Sequence, residues 1–160
     1  MQMFAYEPVL ILLIVGVYLI TGSFQASSVA QQPLLVKLPL VFLTFLMAAA
    51  IKLEKSPFDI ATSHHAHQEL VKGITIEYAG PYLALIEITH FYEIFIVFAV
   101  VASFWATSPA IGVAIAAAGF LALIVVDNVF ARLTPMWMLR YMWTVPLTLA
   151  LSNIIWLYCA

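Results

Sequence analysis

The stretch "PYLALIEITHFYEIFIVFAVVASF", Pro81 to Phe104, decides the fold of this chain. It is apolar over more than the length of about 20 residues that a membrane-spanning helix needs. It nonetheless holds Glu87, His90 and Glu93, each three residues after the last. At about 100° per residue, that spacing confines the three to about a third of the helix circumference. Ile88, Phe91, Phe95 and Phe98 fall on the other side, where they can meet lipid or packed neighbours. At about 1.5 Å per residue from Pro81, Glu87 lies about 9 Å along the helix and Glu93 about 18 Å, inside a hydrocarbon layer of about 30 Å. A carboxylate at mid-membrane costs about 2.5 kcal/mol or more even on mild scales. The trio is therefore expected to line a polar cavity or the bundle interior. Burial disfavours the charged forms of carboxyl and imidazole groups alike, which suits such groups to exchange a proton. A proton or ion path is the expected use, and a static polar network between helices is the plainer alternative.

Composition points the same way. Of 160 residues, 65% are hydrophobic and only 9% are charged, with a mean hydropathy of +1.08. Soluble domains carry about a quarter charged residues, so this chain cannot cover a water-facing surface. The expected fold is an all-α integral membrane protein, a single transmembrane domain over residues 1–160. About five transmembrane helices are expected, at roughly 7–24, 34–52, 81–105, 109–130 and 138–158. Pro109 suits a helix start, whereas Pro39 and Pro146 fall inside spans, where neighbouring helices can accommodate a kink. Trp137, Tyr141 and Trp143 read as an interfacial aromatic belt. Gly22 to Pro33, uncharged and rich in small residues, reads as an exposed connection. The first residues show no basic cluster of the kind that opens a secretory signal. A net charge of −2 gives no reason to expect a nucleic-acid partner. The lone Cys159 can make no internal disulfide and is expected to be a small buried apolar residue.

The one long polar stretch is "KSPFDIATSHHAHQELVKGITIEY", Lys55 to Tyr78, within a connecting segment at 53–80. Lys52, Lys55, Lys72, Arg132 and Arg140 fall on one side of the expected topology and only Lys37 on the other. Basic residues favour the cytoplasmic side, so 53–80 is expected there and the C-terminus outside. Thr62 or Ser63 can cap a short helix that Gly73 ends. On it, His64 and His67 stand at i, i+3, and His65 and Glu69 at i, i+4. This arrangement is not a tight metal-ligand signature, and no metal is expected in this chain. A solvated loop and a docking surface for a partner subunit both fit this spacing. Asp127 reads as an interfacial acid.

"EKSPFDI", "QELVKGITIEYAG" and the acid-bearing helix after them resemble subunit 1 of respiratory complex I. Glu54, Pro57, Phe58, Asp59, Glu69, Leu70, Val71, Gly73, Glu77, Tyr78 and Gly80 carry the likeness, clear from about Leu53 to Glu93 and looser beyond. There are three departures. "ATSHHAH" replaces a short acidic link. His90 stands where the family has a glutamate. "ARLTPMWMLRYMW" replaces a family motif after the fourth span. With "TSHHAHQELV", these features are closest to the membrane subunit of energy-converting nickel–iron hydrogenases. The family's chains are longer, and this one resembles only their later part. It would be either a piece of such a subunit or one half of a split subunit with a separate N-terminal half.

The resemblance implies a redox-inactive membrane anchor in the cytoplasmic membrane of a prokaryote. It would bear no catalytic centre and no cofactor of its own. A nickel–iron (NiFe) centre and 4Fe-4S clusters would lie in partner subunits. The implied partners are the hydrogenase large and small subunits and antiporter-like membrane subunits. The implied proton or ion path runs through Glu54, Asp59, Glu69, Glu77, Glu87, His90 and Glu93. The implied docking residues are Pro57, Phe58, His64, His65, His67 and Arg132. The complex would couple ferredoxin-linked proton reduction or hydrogen oxidation to H⁺ or Na⁺ movement. Three other readings compete: subunit 1 of a proton-pumping NADH–quinone oxidoreductase with a quinone chamber near Asp59–Tyr78, a stand-alone ion or metal transporter, and a passive anchor.

Overall fold

The computed structural model describes residues 2–53, 79–130 and 134–159. They form seven helices: α1 (Gln2–Thr21), α2 (Ala26–Val29), α3 (Leu34–Lys37), α4 (Pro39–Lys52), α5 (Pro81–Ser103), α6 (Pro109–Val129) and α7 (Pro135–Cys159). Four of these, α1, α5, α6 and α7, are long and apolar enough to cross a membrane. The chain is an all-α integral membrane protein, as its composition predicts. α1 starts at Gln2, ahead of the expected start near Glu7, and ends at Gly22, whose φ of 66° is readily adopted by glycine. The Gly22 N–H donates to the Tyr18 carbonyl at 2.8 Å, closing the helix. Pro109 opens α6 and Pro146 lies inside α7, both as expected.

The second expected span, 34–52, is not one helix. It breaks at Leu38, whose φ of −125° and ψ of 51° lie outside the helical region. Proline disfavours the α conformation in the residue before it, so Pro39 restarts the chain as a new helix. The remainder, α4, has 14 residues and is shorter than the four long helices. The break is tied down by Asn153 of α7, which is buried. Its Oδ1 accepts from the N–H groups of Leu40 at 3.1 Å and Val41 at 3.2 Å, and its Nδ2 donates to the Lys37 carbonyl at 3.2 Å. These are the orphan groups that a broken helix would otherwise leave unpaired in an apolar interior.

Short as it is, α4 is the hub. Val41, Thr44, Phe45 and Ala48 to Ile51 are buried, and the helix packs against α1 and α7. α5 packs chiefly against α6, which touches α4 only lightly. The helices thus fall into a three-helix group, α1/α4/α7, and a pair, α5/α6. The two meet firmly at Phe104, whose ring is buried and sits 5.0 Å from Phe42 and 6.4 Å from Phe45, centroid to centroid. Its carbonyl accepts from the Leu35 N–H at 3.0 Å. The connection from α5 to α6 is drawn in tightly at Gly112, where a Cβ would stand 2.7 Å from the Ala102 carbonyl oxygen. Cys159 is exposed at the end of α7, contrary to the expectation of burial.

Candidate ion-path site

α5 divides into two halves. Val97, Val101 and, just past its end, Phe104 are buried, whereas the stretch from Pro81 to Ile96 is exposed apart from Ile86 and Glu93. The acid-bearing half is therefore the open half. Glu87 and His90 are exposed and Glu93 half-buried. The expectation that all three would line the interior fails for this chain taken alone, because α6 covers only the far half of α5. Ile88, Phe91 and Phe95 are exposed as expected, and Phe98 packs on Phe120 with ring centroids 5.7 Å apart.

Glu93 is the organised member of the trio. Its Oε1 lies 3.3 Å from Lys52 Nζ, and its Oε2 lies 3.8 Å from His90 Nδ1. The His90 contact follows from helical i, i+3 spacing. The Lys52 contact is tertiary. Lys52 ends α4, and its ammonium also lies 5.8 Å from the centre of the Tyr6 ring on α1, within cation–π range. A carboxylate thus sits between a cation and a titratable base, each engaging a different oxygen. That arrangement can hold a charge in an apolar layer and hand a proton between neighbours. Glu87 has no ion-pair partner among the described residues.

In the sequence Lys52 is one more connection charge, with no expected site role. Nothing local marks its partner, which is 41 positions away. The only sequence signal is a lysine ending one apolar helix while an acid sits inside another. Tyr141 has a packing role that its residue type does not announce. It forms part of the wall of an apolar cavity of about 490 Å³. Leu43, Leu46 and Met47 of α4 and Gly119 and Leu123 of α6 line the same cavity, and the Tyr141 hydroxyl donates to Met47 Sδ at 3.6 Å. Trp137 and Trp143 are exposed, as a belt requires.

Among the described residues, no group of three or more His, Cys, Asp or Glu side chains is placed to hold a metal ion. Glu54, Pro57, Phe58, Asp59, His64, His65, His67, Glu69 and Glu77 lie outside the described residues, as does Arg132.

The NADH dehydrogenase family model matches residues 1–158 of this chain. The chain belongs to that family. Similar proteins include the H subunit of NADH-quinone oxidoreductase from Anoxybacillus flavithermus, 39% identical over 83 residues, which is 49% of this chain and 24% of that one. The protein of the same name from Geobacillus kaustophilus is also 39% identical over 83 residues. That from Dehalococcoides mccartyi is 30% identical over 102 residues, 62% of this chain and 28% of the relative. The matches span about a quarter of the relatives' length. The likeness of the sequence to the complex I subunit 1 family is thus correct, and the chain is a multi-pass membrane protein.

Proposed function

We propose that this NADH dehydrogenase family chain couples electron transfer in a peripheral partner to ion movement across the membrane. The observation that carries the reading is Glu93, an acid inside a membrane-crossing helix, held between Lys52 and His90. A passive anchor has no need of such a carboxylate, whose burial in hydrocarbon is costly. The openness of Glu87 and His90 supports a chain that works inside a larger membrane assembly, since neither belongs against lipid. Antiporter-like membrane subunits are the proposed neighbours. The acids Glu54, Asp59, Glu69 and Glu77 would lead from the partner to Glu87 and Glu93, with segment 53–80 cytoplasmic and the whole in the cytoplasmic membrane of a prokaryote.

The relatives favour the quinone branch, since they are named as H subunits of NADH-quinone oxidoreductase. In that case the partner delivers electrons from NADH to a quinone. The residues that would flank the quinone, Asp59 to Tyr78, lie outside the described residues. A second reading rests on specific sequence features. The run His64, His65, His67 and the stretch "ARLTPMWMLRYMW" favour the hydrogenase branch, with a nickel–iron centre and 4Fe-4S clusters in the large and small subunits.

One experiment separates the branches. The complex is drawn from its native membrane in mild detergent through a tag on this chain, its subunits identified by mass spectrometry, and both activities assayed. NADH–quinone reduction by the isolated complex supports the first branch. Hydrogen evolution with a nickel–iron subunit present supports the second. Recovery of this chain alone as a homo-oligomer would overturn both and return the stand-alone transporter.

A further inference from the structure

The cavity that Tyr141 helps to wall lies between α4 and α6, two helices that touch only lightly. Its floor is buried: Ala50 of α4, with Gly119 and Leu123 of α6. Its rim is exposed: Leu43 of α4, with Ala122 and Phe130 of the α6 stretch. The cavity is therefore a cleft, closed within and open to the side. Tyr141 supplies the one polar side chain among the described residues that line it, and its hydroxyl donates to Met47 Sδ. A water needs about two to four polar partners to settle in a cavity, whereas an apolar one stays dry or takes an apolar guest. At about 490 Å³ the cleft falls within the range of small-molecule pockets, about 300–1,000 Å³.

We propose that this cleft is a lipid site that takes one acyl tail of a membrane phospholipid. Its length carries the inference. Gly119 stands midway along α6, and Phe130 just past its end. At about 1.5 Å per residue the cleft is about 16 Å long, about half of a hydrocarbon layer of about 30 Å. It thus matches one leaflet, on the side where α4 ends at Lys52. The tail end would reach Gly119, and the headgroup would stay in the interfacial layer beyond Phe130. Width excludes a further helix, since a helix about 10 Å across would fill about 1,250 Å³ over that length, more than twice the cleft. An isoprenoid tail shares the chemistry of an acyl tail. Phospholipid, however, meets the open rim at the concentration of the bilayer itself, so mass action favours it. A bound tail gives α4 and α6 the dispersion contacts that they lack with each other. The lipid then becomes part of the joint between the three-helix group and the α5/α6 pair. None of this depends on the ion-path reading of Glu93.

The test uses the complex purified through a tag on this chain. It is placed in vesicles of phosphatidylethanolamine and phosphatidylglycerol, some of the former carrying a diazirine at the end of one acyl chain. After illumination, mass spectrometry locates the labelled residues. Labels are expected on the floor, at Leu46, Gly119 or Leu123, as well as on the outer faces of the helices. Ala122→Phe places a ring in the mouth of the cleft and should abolish the floor labels while leaving the outer ones. Ala117→Phe, an exposed position on another face of α6, should leave both. Leu43→Phe narrows the mouth from the α4 side and serves if Ala122→Phe fails to assemble; it too should abolish the floor labels. A floor that stays unlabelled in the unaltered complex would overturn the proposal and leave the cleft to a partner subunit. Floor labels that survive in the assembled Phe variants would also overturn it. So would floor labels lost when an isoprenoid quinone is added at a small fraction of the lipid, since the preferred guest is then an isoprenoid tail.

Discussion

Lys52, the last residue of α4, meets Glu93 of α5 at 3.3 Å and so adds a charge contact between two helix groups that also meet at Phe104. Both side chains are partly exposed, so the pair acts more by position than by strength. Lys52→Met and Glu93→Gln should each lower the stability of the complex slightly. Together they should lose about 1 kcal/mol less than the sum of the two. A double-mutant cycle on thermal unfolding in detergent reads this directly, and strictly additive losses would show that the contact is not formed.

Asn153 clamps the break between α3 and α4. Asn153→Ala would leave the Leu40 and Val41 N–H groups and the Lys37 carbonyl without their partner in an apolar setting. The expected cost is about 2–3 kcal/mol. A melting midpoint no lower than wild type would mean that the α3–α4 break finds other partners.

The two buried glycines of α6 should behave differently. A methyl group at Gly112 would stand 2.7 Å from the Ala102 carbonyl oxygen and 3.0 Å from that of Trp105, both backbone atoms. A methyl group at Gly119 would meet the Leu46 side chain at 3.3 Å, which can yield. Gly112→Ala should therefore destabilise by about 1–3 kcal/mol, and Gly119→Ala by clearly less. Equal losses in the two variants would rule out the tight α5–α6 connection.

Cys159 gives a test of orientation. It is exposed at the far end of α7, and three crossings (α5, α6 and α7) separate it from the segment before Pro81. With 53–80 cytoplasmic, a membrane-impermeant maleimide should label Cys159 in intact cells and not in inside-out vesicles. The reverse pattern would invert the topology and with it the side from which Lys52 is reached.

The long spans are legible in the sequence because about 20 apolar residues leave few alternatives to a membrane helix. Glu87, His90 and Glu93 are legible because helical spacing alone puts them on one face. What sequence does not supply is distance in the fold. Lys52 looks like one more basic residue at a span end, and its partner is 41 positions away. Asn153 binds backbone 112 and 113 positions away, so nothing near it in the chain announces a clamp. Pro39 reads as a kink within a span, yet Asn153 satisfies the backbone groups of a full break, and the helix restarts there. Residue type alone puts Cys159 in the interior, yet it is exposed. Tyr141 lines the cavity between α4 and α6.

The measurement that bears most directly on Glu93 is ion movement per electron in proteoliposomes, wild type against Glu93→Gln, with the native redox partner attached. Electron transfer near the wild-type rate with ion movement abolished is the expected result. A Glu93→Gln complex that moves ions at the wild-type ratio would contradict the ion path through α5.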